Sequence, residues 1–332
     1  MTSNQAVQPA CEPLRLAAGP VFACSGQGSQ RPGMGADLMD IPEVAAVFEC
    51  ASDVFGLDVA ALCSAQGDPS ALNDTRSAQA AIATLSIAVG RALLSRGVEP
   101  SALVGFSLGQ VSALALSDML TDEQALSLAS VRARLMGEAA DANPGAMSAL
   151  LKADEDAVEA LVSQCAQGEV LVAANFNCPG QIVVSGSVGA VGRAEEAWAA
   201  RGGRFSRLPT SGAFHSPLMG DALEPFSAYL ESVAFCEPRV PLICNVDARP
   251  LSASTVRDHL ARHLVSAVRF SQSIDLLSAS GASSYVEVGF GGVLTGLIRR
   301  IDKDAARMCV QDRASFDDCL ALAAQGAFAG RG

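Results

Sequence analysis

The sequence predicts an α/β protein in which helices cover both faces of a mostly parallel sheet and a small second unit is inserted in the chain. Short apolar runs alternate with longer helical patterns from residue 20 to residue 301. This alternation changes character between residues 146 and 209. The chain has 332 residues and 50% of them are hydrophobic, so it can bury a core large enough for such a fold.

The outer segments have the pattern of β/α units. We expect strands at 20–24, 101–106, 240–246 and 284–289. We expect helices at 43–55, 78–97, 107–117, 121–142, 255–264, 270–280 and 292–301. Residues 20–145 and 210–325 are assigned to the main domain. Residues 1–19 lack the basic start and apolar core of a signal peptide and are assigned to a flexible leader.

The inserted segment has its own order of elements. Residues 146–209 predict strand, helix, strand, strand, helix and strand, with the turn "FNCPG" between the two central strands. This β-α-β-β-α-β order is typical of a ferredoxin-like subdomain. The cleft between the subdomain and the main domain is where we expect a binding site.

Composition and charge exclude several functions. A net charge of −12 argues against nucleic acid or an anionic membrane as a partner, because phosphates would be repelled. Nearly all positive charge is on arginine, which suits carboxylate or phosphate recognition. The ten cysteines include no C-x-x-C spacing, so we expect free thiols, a cytoplasmic protein and no metal site. The most apolar stretch, 80–90, is shorter than a bilayer span.

Two glycine-rich segments after predicted strands are candidate phosphate loops. Arg31 in "GQGSQRPGMG" and Leu294 in "GFGGVLTG" stand where the dinucleotide fingerprint needs glycine. Neither segment ends in the Lys-Ser/Thr pair of a P-loop. We therefore expect no nucleotide site, although the backbone N–H groups of such loops can bind an oxyanion.

The stretch Gly105-Phe106-Ser107-Leu108-Gly109 matches the nucleophile elbow G-x-S-x-G, with a predicted strand before it and a helix after it. Small flanking residues allow a tight turn that exposes the serine hydroxyl, and the N–H of Leu108 would point at a forming oxyanion. The pattern also fits a serine that only caps the helix between flexible glycines. The pentapeptide alone leaves both interpretations open.

A nucleophilic serine needs a base, and the histidines of the chain are His215, His259 and His263. The last two lie four residues apart on one helix face. Because no H-E-x-x-H signature accompanies them, we expect them to belong to a solvated or partly buried helix face and not to a pair of metal ligands. His215 precedes a helix start at Ser216-Pro217, where positive partial charge favours the neutral imidazole. Since no acidic residue is placed to orient it, a backbone carbonyl would complete a Ser-His dyad.

Six segments occur together in the order and spacing of a known family: "GQGSQRPGMG", "GFSLGQ", "VRARLM", "ANFNCPGQIVVSG", "SGAFHSPLM" and "EVGFGGVLTGLIRRI". From about residue 20 to 310 the chain resembles the malonyl-CoA:acyl carrier protein transacylases and the related acyltransferase domains of polyketide synthases. The resemblance implies an α/β-hydrolase-like core with an inserted ferredoxin-like subdomain, malonyl-CoA and acyl carrier protein as substrate and partner, and no cofactor.

The resemblance also implies a role for each matching residue. Ser107 would take the malonyl group from coenzyme A as an ester and pass it to the phosphopantetheine thiol of the carrier protein. His215 would be its base, held by a main-chain carbonyl near His263. The backbone N–H groups of Gln27 and Leu108 would form the oxyanion hole.

Arg132 matches the arginine that pairs with the malonyl carboxylate in this family. A charge-assisted hydrogen bond is worth roughly 1.5–3 kcal/mol, or about a ten- to hundredfold preference for malonyl over acetyl. Arg134, two residues further along the same helix, is expected to be an ordinary surface residue. Phe106, Gln110, Ser25 and His263 depart from the family pattern; these changes remove no catalytic group but leave the acyl preference open.

Two other functions stay open. A serine esterase or thioesterase could use the same dyad, and an inactive scaffold could bind carrier protein without chemistry. Arg132 and the inserted subdomain favour transfer, and intact Ser107 and His215 argue against a scaffold. An acidic carrier protein needs a local basic patch on this acidic chain. We expect that patch at Arg299, Arg300 and Lys303, with Arg201, Arg204 and Arg207 of the subdomain as a second candidate surface.

Overall fold

The computed structural model describes residues 13–66, 70–210 and 212–328, and the apolar runs found in the sequence are its strands. Within these residues the strands are β1 (Val21–Cys24), β2 (Ala102–Gly105), β3 (Gly145–Ala153), β4 (Leu171–Cys178), β5 (Gly180–Ser187), β6 (Arg204–Arg207), β7 (Leu242–Ile243), β8 (Ser284–Val288) and β9 (Ala306–Val310). They form two separate sheets.

The helices of the described residues follow the predicted periodic segments and add several short elements. They are α1 (Pro42–Phe55), α2 (Val59–Cys63), α3 (Thr75–Leu94), α4 (Gly109–Leu116), α5 (Asp122–Ala142), α6 (Glu155–Ala166), α7 (Val188–Ala200), α8 (Leu223–Glu231), α9 (Val256–His263), α10 (Phe270–Ala279), α11 (Val293–Ile301) and α12 (Arg313–Ala324). The elements α2, β9 and α12 are not among those that the sequence predicts. The helix start expected at Ser216-Pro217 is a 3-10 helix, Pro217–Ala222, that leads directly into α8.

The first sheet is parallel and has the spatial order β7-β2-β1-β8-β9 in the part of the chain that the structure describes. Residue Val21 of β1 pairs with Ala102 of β2 on one side and with Tyr285 of β8 on the other. The residues of β1, β2 and β8 are all buried, because helices cover both faces of a parallel sheet. The carboxyl ends of these central strands meet at one edge, and ligands of open parallel sheets bind at that edge.

The second sheet is antiparallel and has the order β4-β5-β3-β6. Helices α6 and α7 pack together and contribute, with the sheet, to a small core of its own that includes Leu150 and Trp198. The chain order β-α-β-β-α-β is the predicted one. The sheet is tied to the main domain where Phe176 N–H donates to the Val268 carbonyl. The division of the chain at residues 146 and 209 into domains stays a prediction.

Helix α3 corrects the argument about the apolar stretch at 80–90. The helix has 20 residues, which is long enough to cross a membrane, and it is apolar enough as well. Of its most apolar window, 83% is buried inside the protein against neighbouring helices. Asp74 caps its first turn, and Arg91 near its end pairs with Asp118 and Asp122. The burial of α3, rather than its length, shows that it is a core helix.

Two further predictions change. The strand expected at 240–246 shrinks to β7, because the chain turns immediately after it and Cys244 N–H donates to the Arg249 carbonyl. In the predicted flexible leader, residues 13–19 contact the main domain. The backbone N–H of Leu14 donates to Ser280 Oγ at 2.8 Å, and Leu16 packs on the core beside β1. Residues 1–12 of that leader lie outside the described residues.

Candidate active site

Ser107 lies at the sharp turn between β2 and α4. Its φ is 53°, a left-handed backbone conformation that costs on the order of 1–3 kcal/mol in a residue with a side chain. A Cβ on Gly109 would lie 2.0 Å from the Cys24 carbonyl oxygen, and one on Gly105 would lie 2.1 Å from the Gln110 nitrogen. The turn therefore requires glycine at both positions, as the nucleophile-elbow interpretation predicts.

The structure brings Ser107 and His215 together, although they are 108 residues apart in the chain. Ser107 Oγ lies 2.7 Å from His215 Nε2, and His215 Nδ1 lies 2.9 Å from the main-chain carbonyl of His263. A carbonyl only accepts, so Nδ1 carries the proton and Nε2 is free to accept the serine proton. The arrangement is a Ser-His dyad oriented by a backbone carbonyl.

The surroundings of His215 keep its imidazole neutral. Burial and, to a smaller extent, the nearby Arg132 charge lower the pKa of His215 from 6.5 to about 4, and the hydrogen bond to the His263 carbonyl opposes this shift. A neutral imidazole is the form that a general base needs.

Arg132 on α5 points at the hydroxyl of Ser107. Its side chain is buried, one guanidinium nitrogen donates to Ser107 Oγ at 3.2 Å and another donates to Gln79 Oε1 at 2.6 Å. Burial lowers its pKa to about 10, so it stays protonated at neutral pH. It forms no ion pair with a carboxylate of the described residues. A buried cation without a counter-ion is an attractive site for an anionic group of a ligand.

Asn245 supports the elbow and was missed by the sequence analysis. Its Oδ1 accepts from the Ser107 N–H at 2.7 Å, its Nδ2 donates to the Gly105 carbonyl at 2.7 Å, and its own N–H donates to Gln110 Oε1 at 2.6 Å. These bonds provide hydrogen-bond partners for the Ser107 N–H, the Gly105 carbonyl and the Gln110 side chain in and beside the strained turn. The sequence did contain a signal for Asn245, because it is a polar residue within an apolar run, directly after a buried strand.

Gln79 was missed in the same way. It is fully buried within α3, and its contact with Arg132 fixes the direction of the guanidinium. A glutamine near the start of the longest apolar helical segment was the signal that could have found it.

Ser107, His215 and Arg132 line a cavity of about 330 Å³ together with Gln27, Phe106 and mostly apolar side chains. A neighbouring cavity of about 250 Å³ shares Gln27 and Phe106 and continues towards α11. Together they make an elongated cleft between the carboxyl edge of the parallel sheet and the antiparallel sheet. Such a shape suits a long substrate with a reactive group at one end.

The predicted oxyanion donors border this cleft. The side chain of Gln27 bonds to Thr75, which holds its loop against the start of α3. Among the described residues, the backbone N–H groups of Gln27 and Leu108 have no hydrogen-bond acceptor. Two free N–H groups beside a serine hydroxyl are the usual components of an oxyanion hole. Their role in this chain stays a prediction.

The other predicted residues have different surroundings. His263 is buried against the ring of His215, contrary to the solvated or partly buried face expected for it, and only His259 is partly exposed. Arg134 is exposed and pairs with Glu138, as expected for a surface residue. Arg299, Arg300 and Lys303 are exposed at the end of α11 and just after it.

Comparisons with known proteins show which family this chain is similar to. The family described as acyl transferase domain matches residues 21–313. The malonyl CoA-acyl carrier protein transacylase of Salmonella typhimurium is 37% identical over 303 residues, which cover 90% of this chain and 98% of the relative. That of Bacillus subtilis is 35% identical over 295 residues, which cover 88% of this chain and 93% of the relative.

Solved structures of such proteins share the whole fold. A malonyl-CoA:acyl carrier protein transacylase from Xanthomonas oryzae aligns with a TM-score of 0.89 at 34% identity, over 92% of this chain and 99% of that one. A malonyl-transacylase in complex with a type II polyketide synthase acyl-carrier protein aligns with a TM-score of 0.88 at 35% identity, with the same coverage.

Proposed function

The chain belongs to the acyl transferase domain family, and from this membership and the geometry of the cleft we propose how it works. It transfers the malonyl group of malonyl-CoA to the phosphopantetheine thiol of acyl carrier protein, for fatty-acid or polyketide synthesis. The observation that carries the proposal is Ser107 Oγ, which contacts both His215 Nε2 and the buried guanidinium of Arg132. We place the protein in the cytoplasm and expect no cofactor.

The reaction has two half-reactions at the same serine. Ser107 Oγ attacks the thioester carbonyl while His215 Nε2 accepts its proton, and that proton leaves with coenzyme A as the free thiol. The carrier-protein thiol then attacks the malonyl ester, gives its proton to His215, and the proton returns to Ser107. We assign the oxyanion of both tetrahedral intermediates to the N–H groups of Gln27 and Leu108.

Arg132 would select the acyl group. The malonyl carboxylate supplies the counter-ion that the guanidinium lacks, whereas an acetyl group leaves the buried cation unpaired. Water competes with the carrier thiol for the malonyl ester of Ser107. The apolar walls of the cleft shield this intermediate and so slow its hydrolysis.

The mass of the intact protein after brief mixing with malonyl-CoA, acetyl-CoA or methylmalonyl-CoA tests the proposal. We expect a malonyl-sized adduct that carrier protein discharges faster than water does. Rapid loss to water, or equal adducts from all three thioesters, would favour the esterase or thioesterase. Absence of any adduct would favour the inactive scaffold.

The lowered pKa of His215 predicts an unusual pH profile for the acylation half-reaction. The base works when deprotonated, so kcat/KM for malonyl-CoA should fall only as the pH drops towards about 4, instead of near 6.5. Arg132→Gln should move this acid limb to a higher pH, because one cause of the lowered pKa is removed. Burial is the larger cause and remains, so the limb should stay below pH 6.5. An acid limb at pH 6.5 in the wild type would contradict the buried, neutral histidine.

Acid unfolding has to be separated from this profile. Both His215 and His263 have a lowered pKa when folded, so below about pH 6.5 the unfolded chain binds more protons than the folded one. The stability that they contribute is present above pH 6.5 and is lost as the pH falls. Each acid-treated sample is therefore assayed again at pH 7, and only reversible losses are counted.

The end of α11 is the proposed docking surface for the carrier protein. Val293, Leu294 and Leu297 of this helix line the second cavity, and Arg299 and Arg300 follow within its last turn. A carrier protein docked there would point its prosthetic arm along the cleft. In the second candidate surface, on the subdomain, Arg207 already pairs with Glu195, so fewer positive charges remain there to attract an acidic carrier protein.

The double variant Arg299→Glu/Arg300→Glu should raise the KM for carrier protein about tenfold and leave acylation by malonyl-CoA unchanged. Steady-state kinetics of both half-reactions measure this. Arg201→Glu/Arg204→Glu makes the same change of charge on the subdomain and should have the smaller effect. If both half-reactions fell together, the α11 arginines would have only a structural role.

A further inference from the structure

A second group of reactive side chains lies behind the elbow, away from the cleft. Cys244, Asp247 and His259 each offer one donor atom, and the three atoms lie within 4.8 Å of one another. We propose that these three residues bind a single divalent transition-metal ion of the zinc class. The sequence analysis expected no metal site, because the chain has no C-x-x-C spacing and no H-E-x-x-H signature. The three ligands come instead from a turn after β7 and from α9.

His259 is oriented as a metal ligand. Its Nδ1 lies 2.8 Å from the carbonyl of Thr255, the residue that precedes α9, and this bond directs Nε2 towards Asp247 Oδ2 at 2.9 Å. A ligating histidine usually holds its other ring nitrogen on a carbonyl or carboxylate in this way. The imidazole therefore needs no rotation to present Nε2 to an ion.

Backbone groups hold the other two ligands in a similar way. Arg249 N–H donates to Asp247 Oδ1 at 3.1 Å, which leaves Oδ2 facing His259. Val246 N–H donates to Cys244 Sγ at 3.3 Å, a contact that would stabilise a thiolate. Each ligand thus has one partner in the main chain and one donor atom within 4.8 Å of the other two.

The donor set suits zinc better than calcium or magnesium. One sulfur, one imidazole nitrogen and one carboxylate oxygen are typical zinc ligands, whereas the harder ions prefer oxygen alone. A thiolate, a carboxylate and a neutral imidazole together balance a charge of +2, so the ion would leave no net charge in this half-buried place. Three protein ligands leave a fourth tetrahedral position for water.

The place of the cluster explains what an ion would do there. Cys244 is buried, but the Asp247 and His259 side chains keep 22% and 13% of their surface exposed, which gives an ion access. Asn245, which holds the Ser107 turn, lies between two of the ligands. A bound ion would cross-link the turn after β7 to α9. It would thereby stabilise the position of Asn245, which holds the Ser107 turn.

Cobalt(II) titration of the reduced, metal-free full-length protein tests the proposal. We expect one Co²⁺ per chain with a thiolate-to-cobalt charge-transfer absorption, displaced by Zn²⁺, and a higher Tm with either ion. Cys244→Ser should remove the absorption, and His259→Gln should weaken binding by about a hundredfold or more. Cys319→Ser, at a buried thiol on α12, is the matched control and should keep both signals.

Two results would overturn the proposal. One is the absence of stoichiometric Co²⁺ or Zn²⁺ binding by the wild type, which would leave an ordinary Asp-His ion pair beside a buried thiol. The other is an unchanged absorption in Cys244→Ser. Should Cys244→Ser fold poorly, His259→Gln decides the matter. Glutamine can keep a hydrogen bond to Asp247, so folding is expected, and the metal-dependent rise in Tm should then disappear.

Discussion

Ser107→Ala should form no acyl-enzyme and should lower turnover with malonyl-CoA and carrier protein by roughly 10⁴-fold or more. The change removes the hydroxyl that lies 2.7 Å from His215 Nε2, so the first half-reaction has no acceptor for the malonyl group and the second has no acyl-serine to start from. The free energy of unfolding should change by less than about 1 kcal/mol, because alanine keeps the positive φ of the turn and its strain. Intact-protein mass and thermal unfolding measure the two effects.

The matched control for this variant is Ser112→Ala. Ser112 is buried on α4, one turn after the elbow, and its hydroxyl has no hydrogen-bond partner among the described residues. Its loss should leave turnover unchanged. Acyl-enzyme formation by the Ser107→Ala protein would show that another residue carries the malonyl group.

Arg132→Gln should lower the preference for malonyl-CoA over acetyl-CoA by about ten- to a hundredfold. The guanidinium is buried, protonated and close to the Ser107 hydroxyl, and its loss would remove the proposed charge-assisted bond of roughly 1.5–3 kcal/mol to the malonyl carboxylate. Acetyl-CoA makes no such bond, so its kcat/KM should change much less. The ratio of kcat/KM for the two thioesters measures the effect at pH 8, where His215 is neutral in both proteins.

Arg134→Gln is the control for loss of an arginine from α5. Arg134 is exposed and pairs with Glu138, so its replacement should alter the ratio by less than about twofold. A fall in kcat/KM by the same factor for both thioesters in Arg132→Gln would mean that Arg132 positions Ser107 and does not read the carboxylate.

Those features of this protein that depend on neighbouring residues could be predicted from the sequence. The elbow around Ser107 needs glycine two residues before and after the serine, so its signal lies within five positions. Helices such as α5 and the β-α-β-β-α-β order of the inserted segment follow from local hydrophobic period and turn residues. The candidate role of His215 came from its place before a helix start and was repeated by the resemblance of longer motifs. That of Arg132 came from the resemblance, because its local sequence is compatible with an ordinary structural position.

Contacts between distant segments were decided only by the tertiary structure. Asn245 bonds to the Ser107 N–H, 138 positions away in the chain, and Gln79 bonds to Arg132, 53 positions away. Cys244 follows β7 and His259 belongs to a separate helix, yet their donor atoms lie within 4.8 Å of each other. Buried polar groups need partners, but the sequence does not say which strand end or helix face will supply them. The sequence by itself determined most of the elements and the candidate serine, while packing decided which residues hold it, which place a charge beside it and which surround it.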